Sequence, residues 1–281
     1  MEGKDCIGIL DETGQNILPV DSYASMQELI ESGIGVSEIS ELAKRSGKSV
    51  PLSGVTKRPP IPEPKQEIMC LALNYLDHVK ESAKAKEKIF DTTSSHAVYF
   101  CKRVSETVGD GGVIPGHWEL TENTVDYENE LALIIGKDAF QVSKEEAYEY
   151  VFGYTVFNDV TARNLQKRHS QFYFGKSLDG FCPMGPWIVT EDEFSRPPSR
   201  RLLTRVNGEI RQDSNTDGMT FDIPHIISEL SRGITLKAGT IIATGTPSGV
   251  GMGFSPPLYL KPGDVVECEV EGVGILRNVV K

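Results

Sequence analysis

The sequence predicts a mixed β/α, β-dominated fold: a rolled mixed β-sheet (β-roll) domain behind a small N-terminal α+β unit. Three observations predict it. From about residue 68 onward, short apolar runs of strand length are closed by Gly, Pro or Asn-Gly. Few of them are followed by a helical pattern, whereas a doubly wound parallel sheet needs a helix after nearly every strand. A proline-rich stretch, Lys57-Arg-Pro-Pro-Ile-Pro-Glu-Pro64, separates this region from what precedes it.

Residues 1–64 are expected to form the small domain and its linker. Cys6–Leu10 is a short strand, and Glu12-Thr-Gly-Gln15 turns the chain into Ile17-Leu18. Ser25 with Glu28 three residues on is a capping box that opens a helix, and Val36–Ser46 has the pattern of a second. This unit carries no chemical motif.

Residues 65–281 are expected to form the larger domain. Ile68–Leu73 reads as a buried strand, and Asn74–Glu81 has helical spacing. Ala97–Cys101 is a strand, Gly109–Gly112 a turn, and Asp126–Gly136 a strand. Ser143 and Glu146 form a second capping box, which predicts a helix to about Tyr150. Val151–Phe157 is a strand ending in Asn158-Asp159, followed by a helical turn over Thr161–Gln166. Gly185–Thr190 is a strand, and Asn207-Gly208 marks a hairpin with a type I′ turn. Phe221–Ser231 is an amphipathic helix with Ile226, Ile227 and Leu230 inward and His225 at its rim, not a ligand. Thr240–Gly245 is a buried strand, and Val265–Val270 with Ile275–Val280 closes the chain as a hairpin.

Composition narrows the function classes. A formal net charge of -11 speaks against nucleic-acid binding, which needs a basic footprint. An anionic substrate would therefore need local cations. The 5 Cys are scattered with no C-x-x-C pair, as expected in a reducing compartment. No apolar run reaches the length of a membrane span and the opening residues lack a signal-peptide core, so a cytoplasmic protein without membrane contact is expected.

The stretch Asp126-Tyr-Glu-Asn-Glu130 carries the chemistry. Side chains alternate on a strand, so Glu128 and Glu130 share a face roughly 6.6 Å apart along the chain. Two carboxylates on an otherwise apolar strand are either a solvated edge or half of a cation site, because burial without a counter-charge is costly. Asp159, at the end of the next strand, would complete an all-oxygen set suited to Mg²⁺, Mn²⁺ or Ca²⁺. His78 and Glu81 are three apart and meet on one helical face, where a carboxylate fixes the imidazole tautomer. Arg163, Gln166 and Lys176 could hold a developing anionic oxygen near those carboxylates. Gly249-Val-Gly-Met-Gly253 looks like a phosphate loop, but Pro256-Pro257 follows where a helix would be needed.

These motifs, in this order, resemble the fumarylacetoacetate hydrolase superfamily from about Ile68 to the C-terminus. The resemblance is carried by Leu73–Glu81, Asp126–Glu130, Phe157–Gln166, Gly175–Pro183, Val206–Asn215 and Ala243–Pro247. It implies an acylpyruvate hydrolase or 2-hydroxyhepta-2,4-diene-1,7-dioate isomerase-like member. On this resemblance Glu128, Glu130 and Asp159 hold a divalent metal, and His78 with Glu81 activates water from a short lid helix. The polar continuation Lys80–Ser95 suits that lid. Lys176 and Gln166 act in catalysis, while Arg163, Thr246 and Tyr75 bind substrate. The implied reaction is cleavage of a C–C bond in an acylpyruvate or 2,4-diketo acid, through a pyruvate enolate that the metal stabilises. A decarboxylase of oxaloacetate-like acids or an isomerase of unsaturated 2-oxo diacids would use the same site. The alternative outside enzymes is a ligand-binding β module with a structural cation. The resemblance also implies a homodimer.

Overall fold

A computed structural model describes residues 5–84 and 96–281. The chain divides into two compact units, Met1–Lys57 and Arg58–Lys281. The division falls ahead of the prolines. Proline lacks an N–H but keeps a carbonyl, and Thr107 uses this: its amide donates to Pro62 O at 2.8 Å and its hydroxyl to Ile61 O at 2.9 Å. Ile61 is buried as well, so most of the expected linker is fixed to the larger unit.

In the smaller unit, strands Ile7–Leu10, Asn16–Val20 and Val50–Pro51 form an antiparallel sheet beside helices Met26–Glu31 and Val36–Arg45. Ser25 caps the first helix by accepting from the Glu28 amide at 3.1 Å, while Glu28 reaches back to the Ala24 amide at 2.8 Å. The third strand is too short to carry a period and was not expected.

The larger unit is built on two mixed sheets. One has six strands in the order Met184–Thr190, Val151–Asn158, Asn129–Ile135, Ile241–Ala243, Ile68–Ala72 and Val98–Lys102. The other has five, in the order Glu209–Asn215, Arg201–Val206, Val265–Val270, Gly274–Val280 and Val113–Ile114. Pairing is antiparallel except at Ile241–Ala243 with Ile68–Ala72 and at Gly274–Val280 with Val113–Ile114. A single apolar cluster draws on both sheets, with Leu131, Leu133 and Ile135 from one and Leu202, Val266 and Leu276 from the other. The strand-rich, rolled mixed architecture is the expected one. Among the described residues, no helix is long and apolar enough to cross a membrane.

Two local expectations are corrected. The Ser143–Glu146 cap forms, with the Glu146 amide 3.3 Å from Ser143 Oγ, yet only a 3₁₀ turn follows at Ala147–Tyr150. Strand Val151–Asn158 starts at once and the Gly136 amide captures Tyr150 O at 2.7 Å, so sheet pairing overrides helix propagation. The single strand expected over Asp126–Gly136 is broken. Val125–Asp126 pairs with Thr161–Ala162, and the central strand begins at Asn129.

Candidate active site

Antiparallel register brings the three carboxylates together. Asn129 lies opposite Asn158 and Glu130 opposite Phe157. Continuing that register sets Glu128 beside Asp159, and the Asp159 amide donates to Glu128 O at 2.8 Å. Residues opposite on an antiparallel pair share a face, and Glu130 is on it by alternation. One carboxylate oxygen from each of Glu128, Glu130 and Asp159 lies within 4.8 Å of the others, and all three residues are buried. Asn129 points the other way and ties the two sheets together, its amide nitrogen donating to Leu203 O and Glu269 O.

The charges are unequally matched. Lys176 Nζ donates to Glu128 at 2.8 Å and to Asp159 at 2.6 Å. Lys102, fully buried, donates to Asp159 and to the carbonyls of Val160 and Phe181. Arg163 Nη2 is 2.7 Å from Glu128, and its Nε donates to Asp126 at 2.9 Å. Burial opposes charge on Glu128, but Lys176 and Arg163 prevail and hold its carboxyl below the usual range. Lys176 is pushed above the usual lysine range: burial works against its charge, and Asp159 and Glu128 outweigh that. Glu130 has no such partner among the described residues. It accepts from the Gly245 amide at 2.8 Å, and burial, with Asp159 and Glu128 close by, raises its carboxyl well above the usual range. Four buried carboxylates (Asp126, Glu128, Glu130, Asp159) thus meet three buried cations (Lys102, Arg163, Lys176).

This donor set fits a hard divalent ion. The ligand atoms are carboxylate oxygens, and Glu130 is a buried acid that lacks the counter-charge such an ion supplies.

The helix Leu76–Lys84 supplies the opposite wall. His78 Nδ1 is 3.0 Å from Glu81 Oε2, which on a neutral ring puts the proton on Nδ1 and leaves Nε2 as the basic nitrogen. Glu81 is held in turn by the Gly249 amide at 2.9 Å. His78, Ser82, Glu128, Arg163, Gln166 and Lys176 line one cavity. The part of the expected lid beyond Lys84, residues 85–95, lies outside the described residues.

Of the three expected substrate contacts, Arg163 and Thr246 line this cavity and Tyr75 does not. Arg163 lines the cavity, but it spends its guanidinium on Asp126, Glu128 and Gln166 Oε1, so it positions other groups. The Thr246 hydroxyl donates to Asn129 O at 2.9 Å and accepts from Gln212 at 2.8 Å, which leaves it no proton for a substrate carboxylate. Tyr75 is buried beside Gly218 and pairs with Met219; it is not among the residues lining this cavity.

Two groups escaped the sequence reading. Lys102 closes an apolar strand just as Asp159 follows one, and that shared position was the available signal. Asp126 organises the glycine-rich loop, accepting from the amides of Gly251 at 2.7 Å and Met252 at 3.0 Å. The loop does bind anions with its amides, but they are the protein's own carboxylates, Asp126 and Glu81.

Residues 67–281 match the family profile "Fumarylacetoacetate (FAA) hydrolase C-terminal". The chain belongs to the fumarylacetoacetate hydrolase family. It is 46% identical over 229 residues to oxaloacetate tautomerase YisK of Bacillus subtilis, covering 82% of this chain and 74% of that one. A solved fumarylacetoacetate hydrolase from psychrophilic Exiguobacterium antarcticum superposes with a TM-score of 0.84 at 42% identity, covering 100% of this chain and 96% of the other. A probable 2-hydroxyhepta-2,4-diene-1,7-dioate isomerase from Mycobacterium abscessus gives 0.77 at 32% identity, covering 97% and 94%. These three relatives carry the names of enzymes, with three different reactions.

Proposed function

We propose that this protein is a divalent-metal-dependent enzyme that moves a proton at C3 of a small 2-oxo acid, interconverting the keto and enol forms of an oxaloacetate-like substrate. The observation that carries this is the His78–Glu81 pair, with Nδ1 clamped and Nε2 left basic, in a cavity shared with Lys176 and Glu128. The tautomerase name of the Bacillus subtilis relative supports the choice of reaction.

His78 Nε2 takes the C3 proton, and Glu81 holds the ring in the tautomer that permits it and offsets the charge it gains. Lys176 has three N–H groups and uses two on Glu128 and Asp159; the third donates to the 2-oxo oxygen as negative charge gathers there. Gln166 gives its Oε1 to Arg163, so its NH₂ is the end left to donate beside Lys176. His78 then returns the proton to carbon or to oxygen. Held by Glu128, Glu130 and Asp159, an ion such as Mg²⁺ or Mn²⁺ supplies Lewis acidity and gives a cluster with one negative charge in excess a net attraction for an anionic acid.

Hydrolysis of an acylpyruvate C–C bond is the second reading. It uses the same His78 to deprotonate water, and the hydrolase name of the Exiguobacterium antarcticum structure favours it. Ultraviolet absorbance of enol-oxaloacetate separates the two. Acceleration of its decay by Mg²⁺-loaded protein, abolished by chelator, is expected. Absence of that acceleration, with stoichiometric pyruvate released from acylpyruvates, would transfer the assignment to hydrolysis. Assembly as a homodimer is proposed on family likeness alone, and sedimentation equilibrium measures it.

A further inference from the structure

Among the described residues, Ser82 is the one lining the cavity whose polar atom has no assigned work. Ser82 is 5% exposed, and its Oγ has no hydrogen-bond partner among the described residues. A buried hydroxyl left unpaired costs about 1–3 kcal/mol, so it is retained either at a loss or for a ligand. The usual escape on a helix is donation to the carbonyl four residues back, and Ser82 does not take it here.

Its position says which part of a ligand it would meet. Ser82 is four residues after His78 on helix Leu76–Lys84, so the two share a face about 6 Å apart along the axis. Both line the cavity that Glu128 and Lys176 also line. In the proton-transfer reading the 2-oxo acid end of the substrate lies at the carboxylate trio and C3 lies at His78. Along this helix the next polar side chain lining the cavity after His78 is Ser82, so a substrate chain that continues along the helix brings its next group to Ser82. The apolar part of the cavity lining includes Leu71, Phe100, Phe172 and Met252. The cavity's other polar side chains, Arg163, Gln166, Lys176 and Thr246, are held by the carboxylates and the backbone or assigned to the 2-oxo acid end, which leaves Ser82 for a C4 carboxylate.

We propose that the Ser82 hydroxyl binds the second carboxylate of a 2-oxo dicarboxylic acid and so selects diacids over 2-oxo monoacids. The inference rests on the proton-transfer reading for the orientation of the substrate. A donor to a charged acceptor in a closed cavity supports a selectivity of about tenfold.

The test is calorimetric binding to the Mg²⁺-loaded protein, using oxaloacetate and pyruvate, on wild type and Ser82→Ala. Alanine is a good helix former and adds no volume, so the variant is expected to fold as wild type does. Expected is a loss of oxaloacetate affinity of about tenfold with pyruvate affinity unchanged, which collapses the ratio between them. Equal losses for both ligands, or no loss for either, overturns the role of Ser82 while the 2-oxo acid reading stands. Failure of wild type to bind either ligand overturns both.

Discussion

On the sheet side, Glu128, which lines the cavity, and Glu130 and Asp159 clustered with it are placed by strand register, and Glu128 and Asp159 are each paired with buried cations. On the helix side, His78 and Glu81 depend on a loop. Glu81 accepts from Gly249, Asp77 accepts from Ser248 Oγ at 2.7 Å, and the loop is anchored by Asp126 and by the Tyr127 hydroxyl on Gly249 O. Charge density is built into the rigid wall, and proton transfer is assigned to the wall hung on a few polar contacts. Substitutions should therefore separate: sheet-side changes should cost stability and ion uptake, and helix-side changes should cost turnover.

Lys102→Met gives the largest expected effect. It strips Asp159 of one of its two buried cationic partners and leaves the cluster one positive charge poorer, which costs about 3–5 kcal/mol of stability. Thermal unfolding in chelator measures it, and added Mg²⁺ should recover part of the loss by replacing the missing positive charge. A melting temperature within a degree or two of wild type would mean that this wall is not the scaffold described.

His78→Ala comes next and addresses the other wall. Loss of a positioned base lowers kcat by about 10²–10⁴-fold. Because the carboxylates do not depend on His78 for position, Mn²⁺ uptake followed by electron paramagnetic resonance should match wild type. Concerted loss of turnover and uptake would join the two walls into one unit.

Gly253→Ala is a finer cut on the same side. A Cβ there would lie 2.0 Å from Glu81 Oε1. The end of a glutamate side chain can swing away, so stability should hold while Glu81 leaves His78. A fall in kcat of about tenfold, smaller than removing the base outright, is expected, together with an altered pH–rate profile. Full activity would show that Glu81 is dispensable.

The same contrast explains what could be read from the sequence. Glu128 and Glu130 were legible because a period of two is a local property, and Asp159 because it ends an apolar run. His78 and Glu81 were legible from helical spacing. Lys102, Asp126 and the free hydroxyl of Ser82 were not, since each role depends on neighbours more than fifty residues away or on a partner that never arrives. Thr246 differs: it lines the cavity as its motif implies, while its hydroxyl is engaged by Asn129 O and Gln212, which no local pattern announces. Proximity is encoded in motif order, whereas the remaining hydrogen-bonding capacity is a property of the folded network.

The smallest expected effect is a pH dependence internal to the sheet wall. Burial raises Glu130 above its value in the unfolded chain, so the folded state binds that proton more tightly. The resulting stability is fully present below the ordinary glutamate pKa and is lost as the pH rises through the raised folded value. Glu128 is opposite: despite its burial, Lys176 and Arg163 depress it, and its contribution is present above the ordinary range and lost on acidification. A divalent ion needs Glu130 deprotonated, so ion binding should strengthen over the window in which the ion-free protein weakens. Melting temperatures measured upward from the ordinary glutamate range should fall in chelator and diverge from a Mg²⁺ series that stays level or rises. Parallel curves would show that Glu130 does not bind the ion, and would leave Glu128 and Asp159 as an incomplete pair.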